Sequence, residues 1–264
     1  MIGSPDATER PRRTPPLVAA VSAAPVTYAL IAACTALFVG SPASGIGALH
    51  GAGEALALAQ RDLFARWGVV PAELLAGRAP ALPTPVTALF VHGGWLHLLG
   101  NMLFLQVFGV MAEKRLGSPR YLALYGGCGA LALMGYAVAH ADSTVPLVGA
   151  SGAISAVLGA FLYLFPGARV TSLFPFLFFL PLRLPAWVVL PFWAGLQWLA
   201  VGRGGGGSGV AHLAHLIGFG LGVLCCWAAR ARVGRDRSGI RNAPIAPPAT
   251  VTPPAAAPEG DDRP

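Results

Sequence analysis

Six stretches of this chain, near residues 18–40, 94–112, 120–139, 147–165, 184–201 and 209–229, are apolar over bilayer-spanning lengths, which means about 17 to 25 residues per helix. In hydrocarbon the backbone must satisfy its own N–H and C=O groups, so a run of this length reads as a helix. Composition points the same way: 55% of residues are hydrophobic and 11% charged, against about 25% charged in a soluble domain. The expected fold is all-α, a polytopic bundle of six transmembrane helices. The fifth helix resists this reading most, because Pro175, Pro181, Pro185 and Pro191 interrupt the apolar run from Thr171 to Val201. A count of four or seven would require a stretch to be skipped or split.

Charge then orients the bundle. The net charge of +7 could suggest nucleic acid, but the positions of the basic residues argue against it. Of the 18 Lys and Arg, all but Arg61, Arg66, Arg78 and Arg203 fall on one side of a six-span arrangement. That asymmetry is the positive-inside pattern and places both termini in the cytoplasm. The first apolar run is long, follows a Pro-rich basic stretch and lacks a clear cleavage site, so an uncleaved anchor is expected. The expected location is a cell membrane, as a multi-pass protein, with a bacterial source also expected.

Residues 1–16 and 231–264 are rich in Pro, Ala and scattered charge; they read as disordered cytoplasmic tails around a membrane domain spanning 17–230. Cys34, Cys128, Cys225 and Cys226 all lie in apolar runs, where cysteine acts as a small apolar residue and not as part of a disulfide framework. The one long connection, 41–91, holds an amphipathic patch from Glu54 to Trp67. A structured extracytoplasmic loop is expected there, either capping the bundle or admitting a ligand.

Polar groups inside apolar runs are costly and point to function. Ser151 stands in Gly149-Ala150-Ser151-Gly152 at the head of the fourth run. His97 and Asn101 are four apart on the second, with His92 just before it, and His212 and His215 lie on the sixth. Ser151, Ser155 and Gly159 form one small-residue stripe, and His215, Gly218 and Gly222 share a face, so the two helix backbones can approach closely. A serine hydroxyl needs an imidazole to take its proton, and Ser151 with His215 would make such a pair. His97, Asn101 and the Ser151 backbone N–H could bind an oxyanion. Each feature also has a plain reading: small residues pack most membrane interfaces, serine often bonds back to its own helix, and His97 and Asn101 could simply tie helices together.

A zinc site built from His92, His97, His212 and His215 is the competing chemistry. No Asp or Glu lies in the interior of a run, which argues against that site and equally against a proton-coupled transporter. No metal and no cofactor are expected.

Taken together, these motifs resemble the rhomboid family of intramembrane serine proteases. His92-x-x-x-x-His97-x-x-x-Asn101, Gly149-Ala150-Ser151-Gly152 and Ala214-His215-x-x-Gly218-Phe219-x-x-Gly222 occur in the family's order. Thr87-x-x-Phe90, Phe108-Gly109, Glu113-x-x-Leu116-Gly117 and Ala186-Trp187 support the match, which covers roughly 17–230. The resemblance implies a rhomboid-like bundle with a Ser-His dyad lacking an acidic third member. In it Ser151 is the nucleophile and His215 the base, His97 and Asn101 steady the oxyanion, and His92, Gly149, Gly152 and Gly218 support the site. It further implies a cavity open to the non-cytoplasmic side, gated by the fifth span and the loop Gly202 to Gly209. The implied substrates are transmembrane segments of single-pass or other membrane proteins, with the lipid bilayer as medium and no nucleic-acid partner. Oligomeric state stays open.

Several positions depart from the family pattern. Ile217 stands where a small residue is common and could widen the contact between spans four and six. Ser155 stands where some members carry an aromatic that stacks on the histidine, Val110-Met111 replaces a polar pair, and His212 holds a position often aromatic. A catalytically inactive rhomboid-like protein that binds membrane clients is the alternative reading.

Overall fold

Small side chains let one helix be surrounded on every side, and the helix at Ser151–Leu164 is so enclosed: each residue from Gly152 to Phe161 is buried. The computed structural model describes residues 21–174, 180–202 and 211–241. Its principal elements are α1 (Pro25–Val39), α2 (Gly53–Trp67), α3 (Trp95–Leu116), α4 (Ser118–Ala139), α5 (Ser151–Leu164), the strands β1 (Arg169–Phe174) and β2 (Leu180–Pro185), α6 (Ala186–Gly202) and α7 (His212–Arg241). The chain divides after Ala228; from Ala229 the second unit carries helical backbone as far as Arg241. The expected tail 1–16 lies outside the described residues, as does 242–264.

The protein is mostly helical. Among the described residues, Trp95–Leu116, Ser118–Ala139 and His212–Arg230 are long and apolar enough to cross a membrane. Pro25–Val39, Ser151–Leu164 and Ala186–Gly202 are apolar but shorter. The expectation of an all-α chain is corrected by β1 and β2, which pair antiparallel with Arg169 opposite Pro185 and Phe174 opposite Leu180. Proline explains the change: Pro181 and Pro185 lack the N–H a helix interior needs, so Leu180–Pro185 is extended and α6 opens only at Ala186.

Backbone approach organises the core. A Cβ on Gly218 would overlap the Gly152 carbonyl, one on Gly222 the Ala156 carbonyl, and one on Gly159 the Phe219 carbonyl. Thus α5 and α7 touch main chain to main chain. On another face of α5, a Cβ on Gly129 of α4 would lie 2.6 Å from the Ala153 Cβ. Ile217 points elsewhere: its Cδ1 fills the space over Gly135 of α4, 2.8 Å from where a Cβ would stand. It therefore does not widen the α5–α7 contact.

Two local devices fix the remaining elements. Glu113, 1% exposed, accepts hydrogen bonds from the Val26 and Thr27 N–H groups at 2.9 and 2.7 Å and from the Ser118 hydroxyl at 2.7 Å. A carboxylate at the start of α1 meets the unpaired N–H groups there and the positive end of the helix dipole. At the other end of the bundle, Val69 and Leu147 exchange two backbone hydrogen bonds of 2.8 Å, and Gly149 N–H donates to Ala88 O at 2.9 Å. The long connection therefore clamps the segment that leads into Ser151.

Candidate active site

Ser151 is the first residue of α5, two positions after Gly149, whose φ of 125° is a left-handed conformation suited to glycine. The clamp from Val69 and Ala88 sets that turn. The Ser151 hydroxyl lies 2.8 Å from His215 Nε2 on α7. His215 sits three residues before Gly218, so the close crossing at Gly152 brings the two side chains together. Both are half-buried.

His97 arrives from α3. Its Nδ1 accepts a hydrogen bond from Gly93 N–H at 3.3 Å, which leaves the proton of the neutral ring on Nε2. A methyl built on Gly149 would stand 2.7 Å from that Nε2 and 3.8 Å from Ser151 Oγ, so the N–H borders the serine's pocket. One turn further along α3, Asn101 is buried, and among the described residues its Nδ2 has no hydrogen-bond partner. A buried, unsatisfied donor is costly and calls for an explanation in function or bound solvent. The arrangement holds a hydroxyl against an imidazole, with the His97 ring close by, parts that acyl transfer can use.

His92 lies before α3, its ring edge-on to His97 at 5.2 Å between centroids, with Nδ1 3.3 Å from Phe90 O. Burial, then the neighbouring His97, pushes its imidazole down to about 4, against the opposing effect of the Phe90 carbonyl. The unfolded chain titrates near 6.5, so between these values the unfolded state binds more protons. The stability contributed by neutral His92 is full above about 6.5 and lost as pH falls towards 4, on the order of 2 kcal/mol by pH 5. Thermal unfolding in detergent between pH 7 and 5 should show this loss in the wild type and a flatter slope in His92→Gln; equal slopes would refute it.

Two residues that the sequence did not single out complete the surroundings. Gln197 Oε1 on α6 lies 2.8 Å from His215 Nδ1 and 2.8 Å from His212 Nδ1. Trp193, four residues earlier, stacks on His215 with 28° between ring planes. The aromatic partner missing at Ser155 is thus supplied by α6, while the Ser155 hydroxyl donates to Ser151 O at 2.6 Å. Gln197 was detectable in principle as the one amide in an otherwise apolar helix. His212 and His215 converge on that amide oxygen and not on a common metal position. Among the described residues no cluster of three His, Cys, Asp or Glu has metal-holding geometry. A separate apolar cavity of about 450 Å³, lined by Leu37, Phe38, Leu63, Trp67 and Phe90, reaches His92 but does not include Ser151 or His215.

Comparison with known proteins agrees with this layout. The chain is 36% identical over 152 residues to Rhomboid protein 1, mitochondrial, of Saccharomyces cerevisiae, covering 56% of this chain and 42% of that protein. It is 27% identical over 209 residues to RHOMBOID-like protein 12, mitochondrial, of Arabidopsis thaliana, covering 69% of this chain and 59% of that one. Rhomboid protease GluP of Bacillus subtilis is 38% identical over 78 residues, 30% of this chain and 15% of its own. The chain therefore spans less than two thirds of each of these relatives. The two matches that cover more than half of this chain are both mitochondrial by name, which overturns the expected placement in a bacterial cell membrane with cytoplasmic termini. A model of the rhomboid domain matches residues 82–232. That stretch is more than half of the chain and holds Ser151, His215, His97, Asn101 and Gln197 alike: the chain belongs to the rhomboid family.

Proposed function

We propose that this chain is an intramembrane serine endopeptidase acting on transmembrane segments of other membrane proteins. The observation that carries the reading is the 2.8 Å contact between Ser151 Oγ and His215 Nε2. As Oγ adds to the scissile carbonyl carbon, its proton passes to His215 Nε2. The Nε2–H of His97, Nδ2–H of Asn101 and backbone N–H of Ser151 receive the oxyanion. Collapse of the tetrahedral intermediate breaks the C–N bond, and the His215 imidazolium gives its proton to the departing amine. Water, deprotonated by the same imidazole, then releases the acyl group and restores the serine.

Six crossings, by α1, α3, α4, α5, α6 and α7, fit this function. At 1.5 Å per residue, the 14 residues of α5 extend about 21 Å, short of the roughly 30 Å hydrocarbon layer. A helix that stops short leaves its N-terminal serine below the membrane surface, where a transmembrane substrate can meet it. A helical substrate hides its carbonyls in its own hydrogen bonds, so segments with helix-breaking residues are the expected targets. The relatives' names favour a mitochondrial membrane.

The test is covalent labelling of the intact protein with a fluorophosphonate. Labelling of Ser151, lost in Ser151→Ala and His215→Ala, supports the reading. Cleavage of membrane substrates that survives both substitutions would sink it. Asn101→Ala is expected to lower kcat about 100-fold with KM little changed, since it removes a donor used only as charge develops. Steady-state cleavage of a fluorogenic transmembrane peptide in proteoliposomes measures this.

A further inference from the structure

His215 can serve as a base only if its lone pair, and not its N–H, faces Ser151. Resting on the protease reading above, we propose that Gln197 is the positioning residue that sets this orientation. A carbonyl oxygen can only accept hydrogen bonds, so the 2.8 Å contact from Gln197 Oε1 to His215 Nδ1 requires the proton on Nδ1. The neutral ring then presents Nε2 as an acceptor, 2.8 Å from the Ser151 hydroxyl. With the opposite tautomer, an N–H would point at the hydroxyl and no proton could be taken.

The amide itself is held in place. Oε1 has two lone pairs, and the second receives Nδ1–H of His212, also at 2.8 Å. His212 and His215 are three apart on α7, so both rings reach one oxygen. From α6, Gln197 and Trp193 are four apart and converge on the same imidazole, one along its edge and one on its face. When the ring becomes an imidazolium, the amide dipole stabilises the Nδ1–H without placing a second charge in hydrocarbon. A carboxylate in that role would carry a desolvation cost of several kcal/mol.

The experiment uses the full chain in proteoliposomes, a fluorogenic transmembrane peptide and a fluorophosphonate. Gln197→Met keeps the length of the side chain and removes the acceptor; Gln197→Glu keeps an acceptor oxygen. The expected result for methionine is a kcat about 10- to 100-fold lower, the rate equivalent of one lost buried hydrogen bond, with KM within about twofold and an unchanged unfolding temperature. The rate of Ser151 labelling should fall in parallel, the glutamate variant should recover most of kcat, and in a His215→Ala background Gln197→Met should change nothing further. Retained kcat in the methionine variant, an equal loss in both variants, a change confined to KM, or loss of folding would each overturn the assignment. Continued cleavage by Ser151→Ala and His215→Ala would instead remove the protease reading. If those two abolish cleavage and Gln197→Met does not slow it, only the role of Gln197 falls.

Discussion

Replacing His215 with alanine is expected to lower kcat by about 10,000-fold, with Ser151→Ala equally impaired and the double variant no worse than either single one. The magnitude follows from what each group does in one proton transfer. Without the imidazole, Ser151 Oγ must lose its proton to water at the moment of attack, and the leaving amine must depart without a proton donor 2.8 Å from the reacting oxygen. Groups that act as a unit are strongly non-additive, because removing one already idles the other. On the proposed reading, catalysis that remains would come from His97, Asn101 and the Ser151 N–H, which are assigned to the oxyanion and not to the proton. Single-turnover cleavage of a transmembrane peptide by the three variants, each checked for folding by its unfolding temperature, measures the pattern. Additive losses in the double variant would mean that Ser151 and His215 serve separate steps, and the dyad would have to be abandoned.

What the sequence made legible here was chemistry at fixed spacing. His97 with Asn101, and His215 with Gly218 and Gly222, are i, i+3 or i+4 relations on single helices, so periodicity places them without tertiary knowledge. The approach of α5 to α7 was legible in outline through the small residues. Its register was not, because Ile217 and Gly218 are adjacent and only the rotation of α7 decides which one faces Gly152. The structure turns Gly218 to α5 and Ile217 to Gly135. Gln197 escaped notice for a related reason: an isolated amide in a proline-interrupted run has no spacing partner of its own, and its meaning comes from two histidines on another helix. The hairpin β1 and β2 was hidden by apolar composition, which reports burial in lipid or protein but not backbone conformation. Glu113 sat at a helix end in the sequence, yet besides nearby Ser118 its partners are N–H groups of α1 almost ninety positions away in the chain, a relation no local pattern carries.

Gly218→Ala is expected to reduce activity at least 100-fold although alanine is chemically inert and stands three residues from the imidazole. A methyl at that position would overlap the Gly152 carbonyl and press on Ser155 Cβ at 3.3 Å. Neither can yield easily, since the carbonyl belongs to the backbone of α5 and both residues are buried. Relief must come from moving α7 outward, which carries His215 away from Ser151. A displacement of about 1 Å in a reacting pair can cost on the order of 100-fold in rate, and forcing a group into a packed core costs about 1 to 3 kcal/mol in stability. Gly222→Ala should cost at least as much stability, because a methyl there would overlap the Ala156 carbonyl and its carbon. Its effect on rate should be smaller, since it lies two turns from His215. Gly220 provides the control: it is on the same helix, and a methyl there meets nothing within 4 Å, so Gly220→Ala should match the wild type in both rate and unfolding temperature. Equal behaviour of the three variants would show that glycine serves α7 generally and that close backbone crossing does not bring His215 to Ser151. A graded result would instead tie catalysis to a main-chain contact, with the proposed Ser151–His215 pair held as close as two glycine-lined helices allow.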